Sequence, residues 1–318
     1  MDNICFDKTD EIDNKNIPDE FIEITGLMRL RKKKMKGNLA KIIHNEFDDF
    51  SDLSEIIEYA VMSGKSYYHS FFAEILGESC KVSEEKRRFL GAIFEMMYNY
   101  FEMQNDISDF ENVEYRNKKI TCQKKYGVGK TIIASNAILS LIYKLIADNK
   151  MLKISSKDKC RIISILTKYS GKNGLTGGQM LKIMTKNKKL YEDELTRIHK
   201  LRNSSIYLAI FECFEILSEL NEKQIKGLKV YVDNFCHLLE IYEKIQQNDK
   251  SKIEGLMKRA EIIKNQSTKI IKNIEIDNKK LNDFMNFNYY LIDNVAKNLS
   301  KKDDTLSINV NNKEELRQ

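Results

Sequence analysis

"FLGAIFEMMYNYFEMQNDISDFENVEYRNKK", residues 89 to 119, begins as an unbroken apolar run and ends in carboxylates and bases. Its apolar residues recur at helical spacing, and we read a helix over 84–108 that carries its polar residues at the C-terminal end. Residues three or four apart share a helix face. Asp106 and Asp109 therefore point the same way, and Asn105 joins Asp109 at i, i+4. Unpaired charge is costly to bury. The pair is thus either a solvated helix end or a magnesium site, since magnesium takes hard oxygen ligands and sits between a few carboxylates and substrate phosphates.

The rest of the chain follows the same rhythm. Of its 318 residues only Pro18 is proline and 13 are glycine. Proline removes a backbone donor and clashes with the preceding turn, so its near-absence permits long helices. The spacing predicts helices at about 20–47, 53–63, 66–78, 84–108, 129–149, 155–170, 176–187, 191–219, 223–247, 250–274 and 278–299. Polar joints separate them, no Gly/Ser linker interrupts them, and no fixed-period repeat is visible. The expectation is a single all-α domain over 19–299, between a flexible lead-in (1–18) and a flexible tail (300–318).

"GVGKT" (127–131) resembles the end of a phosphate-binding loop, but the pattern requires a glycine five residues before Gly129, where Lys124 stands. We read it as a loop-to-helix joint. Net charge is +6 from 53 basic and 47 acidic residues, a mixed-sign surface without the dense basic face that nucleic acid demands. "RLRKKKMK" (29–36) is the one basic run: a solvated face, or a surface for an anionic partner. The 6 cysteines show no C-x-x-C spacing, and the N-terminus is acidic and polar, so a reduced, cytoplasmic setting is expected. No apolar run is read as long enough to span a membrane. His199 and His237 are lone histidines without metal-ligand spacing, and Cys122 and Cys236 have no histidine close in sequence.

The order of motifs resembles the trans-isoprenyl diphosphate synthases, the polyprenyl synthetase family, over roughly residues 55–250. "EYAVMSGKSYYH" (58–69) falls where that family has G-G-K-R-L-R-P, "NDISD" (105–109) where it has D-D-x-x-D, and "RNKKIT" (116–121) where it has R-R-G-K-P-T. The helix beginning at "GVGKT" stands for the one with A-G-D-x-L-L. "GLTGGQMLKI" (174–183) looks like G-G-Q-x-x-D-I, and "LTRIHKLRNSSIYLAI" (195–210) like I-H-x-x-K-T-x-x-L. The resemblance implies a bundle of mostly antiparallel helices around a central cavity, usually dimeric. It also implies an allylic diphosphate ionised with Mg2+ and coupled to isopentenyl diphosphate.

Carried over residue by residue, it implies metal ligands at Asp106 and Asp109, with Asn105 and Glu243 as further oxygen donors. Diphosphate contacts fall at Lys65, Arg116, Gln179 and Arg202, and a cavity floor at Tyr100 and Phe101; no catalytic residue is assigned. Departures are as informative. Asn105 replaces the leading aspartate, Asn117 the second arginine, Tyr68 an arginine, Tyr98 a histidine or glutamine, and Lys182 an aspartate. The second acidic box reads "EKIQQ" (243–247). The expected function is a divergent prenyltransferase of isoprenoid biosynthesis, with a prenyl diphosphate as ligand and a homodimer, or a heterodimer with a related synthase, as assembly. A catalytically weak or silent regulatory subunit, or a prenyl-lipid binding protein, are the alternatives.

Overall fold

The computed structural model describes residues 17–62, 67–108, 114–116, 119–148, 153–246 and 250–314, the last fifteen by their backbone alone. They are almost entirely helical, and the sole sheet among them is a two-stranded ribbon, β1 (Tyr115–Arg116) antiparallel to β2 (Lys119–Ile120). The all-α expectation holds. The chain divides into two compact units, 1–225 and 226–318.

The first unit is organised by α4 (Glu84–Ser108), which packs against α1 (Ile22–Phe47), α2 (Ser51–Met62), α3 (Tyr68–Ser79), α6 (Val128–Asp148), α8 (Leu175–Met184) and α10 (Ser205–Leu217). Its residues 90–97 are all buried, as an apolar run without a polar face requires. Helix α3 is buried on eleven of its twelve residues. Close approach rests on glycine where these helices meet. A Cβ on Gly91 would lie 3.1 Å from Met35 Cε of α1, and one on Gly77 only 2.8 Å from the Phe214 ring of α10.

Burying these helices also buries acids, and each is met. Glu95 accepts from the Ser70 backbone N–H (3.0 Å), satisfying a donor at the start of α3 that the helix itself leaves open. Glu74 lies 3.3 Å from Arg31 and 3.2 Å from Arg87.

The joint "GVGKT" is a helix start. Gly127 adopts φ +88, a conformation that favours glycine, and Lys130 is exposed; a short helix, α5 (Cys122–Tyr126), precedes it instead of a strand. One expectation is corrected here. By length and composition α6 is apolar enough to cross a membrane. Yet its residues Thr131, Ala134, Ser135, Ile138, Leu141, Ile142 and Ile146 form one buried stripe, and Gln104 of α4 donates to Ser135 Oγ at 2.7 Å. That stripe is the signature of a bundle helix packed on one face.

The predicted helix 191–219 is interrupted. After α9 (Glu192–His199) comes a π turn, Lys200–Ser204, and only then α10. Helix α7 (Ser156–Ser170) packs on α10, and Ser155 caps it by accepting from the Asp158 N–H at 3.1 Å.

The second unit holds most of α11 (Glu222–Gln246) with α12 (Ile253–Asn273) and α13 (Lys279–Glu314). Tyr231 donates to the Leu281 carbonyl at 2.8 Å, and the Phe235 and Phe284 rings lie 5.4 Å apart. Asn234 donates to Ser267 Oγ at 3.0 Å. Helix α13 continues to Glu314, past the 299 boundary drawn from the sequence.

Burial has a titration consequence. The Cys80 thiol is pushed up from 9.0 to about 12 by burial and by the charge of Glu215, and burial raises Tyr67 and Tyr231 as well. These groups fold as neutral acids, so their contribution is complete below the unfolded-state value and is lost as pH rises through the folded one. Urea midpoints should therefore fall between pH 9 and 12 on account of Cys80. Cys80→Ala should flatten part of that slope; an unchanged slope would remove the assignment to the thiol.

Candidate functional site

The last turns of α4 carry Asn99, Glu102, Asn105 and Asp106, all buried. Arg116 reaches them from the ribbon. Its Nε donates to Asp106 Oδ1 at 2.9 Å, its Nη2 donates to the same oxygen, and its Nη1 lies 2.9 Å from Glu102 Oε2. One guanidinium thus clamps two carboxylates one turn apart. Arginine suits this position because its planar fork matches two acceptors at once. Burial alone would lower the Arg116 pKa, but the charges of Glu102 and Asp106 more than offset it and raise the value above that of a free arginine. The cation is therefore fixed.

The ribbon is itself held. Tyr59 of α2 donates to the Ile120 carbonyl at 2.7 Å, the Thr121 N–H donates to the Glu114 carbonyl at 2.9 Å, and Lys125 lies 4.0 Å above the Tyr59 ring. Asn99, Glu102, Asp106, Arg116 and Lys119 line a pocket of about 40 Å³, room for a few waters at most.

From the other side α8 brings Gln179, whose Nε2 donates to Ser108 Oγ at 3.1 Å. Gly178 lets this helix meet the π turn: a Cβ there would lie 2.7 Å from Arg202 Cγ and 3.0 Å from the Arg202 nitrogen. Asn105, Asp106, Arg116, Gln179 and Arg202 therefore belong to one connected set of elements in the first unit. Asp109 and Lys65 lie outside the described residues. Glu243 is buried on α11 in the second unit. Phe101 is buried, and Tyr100 is half-buried, its hydroxyl raised by burial and by Tyr143 of α6; neither ring lines the 40 Å³ pocket.

Two departures have visible structural roles. Tyr98 stacks on His69 with ring centroids 4.2 Å apart, and Tyr68 is buried in α3. The residue that sequence reading missed is Glu102. Its signal was the i, i+4 spacing to Asp106 inside a buried stretch, where two acids on one face require a cation between them.

The donors suit magnesium in kind. The Oδ1 of Asn105 and the Oε1 of Gln179 are buried and accept no hydrogen bond, leaving hard oxygens on the residue before Asp106 and on the side chain that α8 brings to Ser108. Among the described residues no three His, Cys, Asp or Glu side chains cluster as a complete cage. Magnesium commonly takes one or two carboxylates and completes its shell with water and phosphate oxygens.

Residues 51–244 match the family model for polyprenyl synthetases. A farnesyl diphosphate synthase from Micrococcus luteus is 26% identical over 195 residues, 61% of this chain and 66% of that protein. One from Buchnera aphidicola is 23% identical over 252 residues, covering 79% and 88%. Among solved structures, an FPP/GFPP synthase from Zymomonas mobilis superposes with a TM-score of 0.76 at 16% identity, over 84% of this chain and 99% of that one. A geranyltransferase from Legionella pneumophila gives 0.74 at 15%, over 83% and 98%. The fold is that of the isoprenyl diphosphate synthases. The chain belongs to the polyprenyl synthetase family.

Removing Arg116 would strand two buried carboxylates. Arg116→Gln should cost about 3–5 kcal/mol in urea unfolding. The same change in a Glu102→Gln, Asp106→Asn background should cost much less. Equal losses in both backgrounds would show that the clamp carries no coupling.

Proposed function

We propose that this chain is a magnesium-dependent prenyltransferase of isoprenoid biosynthesis that couples an allylic diphosphate to isopentenyl diphosphate. The observation that carries this reading is the Arg116 clamp on Asp106, linked through the end of α4 to Gln179 and Arg202. An acid that binds a metal and a base that binds diphosphate sit in direct contact, so substrate and cation together can replace the ion pair that each partner makes alone. The farnesyl diphosphate synthases that the chain resembles support the substrate class.

Asp106, with the amide oxygens of Asn105 and Gln179, would hold magnesium, which when bound neutralises the departing diphosphate. Arg116, released from the carboxylates, takes the diphosphate oxygens in a charge-assisted pair. Arg202 supplies a second fixed cation from the π turn. Tyr68 and Tyr98 leave the isopentenyl end short of charge, so that substrate binds weakly. Self-association, or pairing with a related synthase, would cover Val128, Ile132 and Ile133, apolar residues that α6 exposes.

The test is turnover of labelled isopentenyl diphosphate with dimethylallyl, geranyl or farnesyl diphosphate and Mg2+, products extracted and sized. Asp106→Asn should lower kcat about a hundredfold, about 2.7 kcal/mol, and chelation should abolish turnover. A folded wild-type protein that forms no prenyl product, or an Asp106→Asn variant as fast as wild type, would overturn the reading.

A further inference from the structure

The basic run on α1 has no part in the site above. It lines a cleft of about 660 Å³ between α1 and the N-terminal parts of α3 and α4, a size typical of small-ligand pockets. Five basic side chains line it against one acid, Glu74. That acid is already matched, since Arg31 and Arg87 both pair with it, while Arg88 pairs with Glu84. Lys33, Lys34 and Lys41 enter no ion pair among the described residues, so the wall they form keeps its positive charge.

Two further features make this a cleft with a shape instead of a loose run of charge. Arg31 is largely buried and held by Glu74 and Glu84, so its guanidinium is a cation fixed in the wall of the cleft. Gly37 faces open space, with nothing within 4 Å of where its Cβ would be. Lys34, Gly37 and Lys41 follow one another at helical spacing along the same face of α1. Arg88 and Asp106 are eighteen residues apart on α4, about 27 Å at the helical rise, so this cleft is separate from the Asp106 site.

We propose that the α1 cleft binds a phosphate group carrying two or more negative charges, presented by a soluble diphosphate or by a phospholipid headgroup. Arg31 supplies a fixed cation, and Lys33, Lys34 and Lys41 supply the field. The proposal does not depend on catalysis at Asp106.

Calorimetric titration with inorganic pyrophosphate in EDTA, and sedimentation with phosphatidylcholine vesicles containing a minority of phosphatidic acid, whose phosphomonoester can carry two charges, separate the two sources. Lys33→Gln, Lys34→Gln and Lys41→Gln combined should weaken whichever binding is seen by about tenfold, as three exposed charges warrant. Gly37→Leu favours the helix, changes no charge and projects a bulky apolar side chain into the cleft beside Lys34 and Lys41, and should weaken the same binding. Pyrophosphate binding weakened in both variants assigns a soluble anion; vesicle binding alone, weakened in both, assigns the headgroup. Binding in neither arm, or binding that the lysine variant leaves unchanged, overturns the proposal. So does binding that Gly37→Leu leaves at wild-type strength, because a diffuse field would then suffice. A thermal midpoint near that of wild type confirms that each variant is folded.

Discussion

Carboxylates carried into an apolar core govern the first unit. Helices α3 and α4 bury Glu74, Glu95, Glu102 and Asp106 among phenylalanine, isoleucine and methionine. Each buried charge needs a partner, and the partners come from different parts of the chain. The start of α3 offers a backbone N–H to Glu95, α1 and α4 send arginines to Glu74, and the ribbon sends Arg116 to Glu102 and Asp106. Apolar packing says that these helices lie together. The ion pairs fix which helix and which register.

Most of the helices were legible because their causes are local. Predicted and observed limits agree within about three residues for α1 to α4 and for α6, where apolar periodicity and polar joints coincide. What escaped was set by tertiary contact. The five-residue α5 and the ribbon have too few residues for a period, and they stand because Tyr59 and Lys125 tie them to α2. The π turn is invisible to a count of apolar residues because it answers to the approach of α8 at Gly178. Helix α6 misled in the other direction: its apolar content was underestimated when read as a run, although its buried stripe marks it as a bundle helix.

The candidate site was legible in part, and for two different reasons. Asp106 followed from helical spacing and from resemblance, whereas Arg116, Gln179 and Arg202 came from the resemblance alone. Nothing in the local sequence says that residue 116 returns to residue 106, because that contact depends on a ribbon that reverses the chain. Glu102 was available to a purely physical reading, since an acid one turn from Asp106 in a buried helix requires a counter-charge. The second acidic box, at Glu243, stands on the other compact unit, and helical periodicity carries no information about such a division.

The π turn at Lys200–Ser204 bears on how this chain can change by insertion and deletion. An α-helix advances about 100° per residue, so an extra residue rotates everything beyond it by that angle unless a wider turn takes it up. Taken up at Lys200–Ser204, the extra residue leaves the buried Ile206, Ile210 and Phe214 of α10 close to the stripe of Ile198 of α9. Losing one residue between 200 and 204 would restore a regular helix with those stripes still aligned, whereas losing one elsewhere in α9 or α10 would turn one of them toward water. Length in this short segment is thus constrained less tightly than in the regular helices on either side of it.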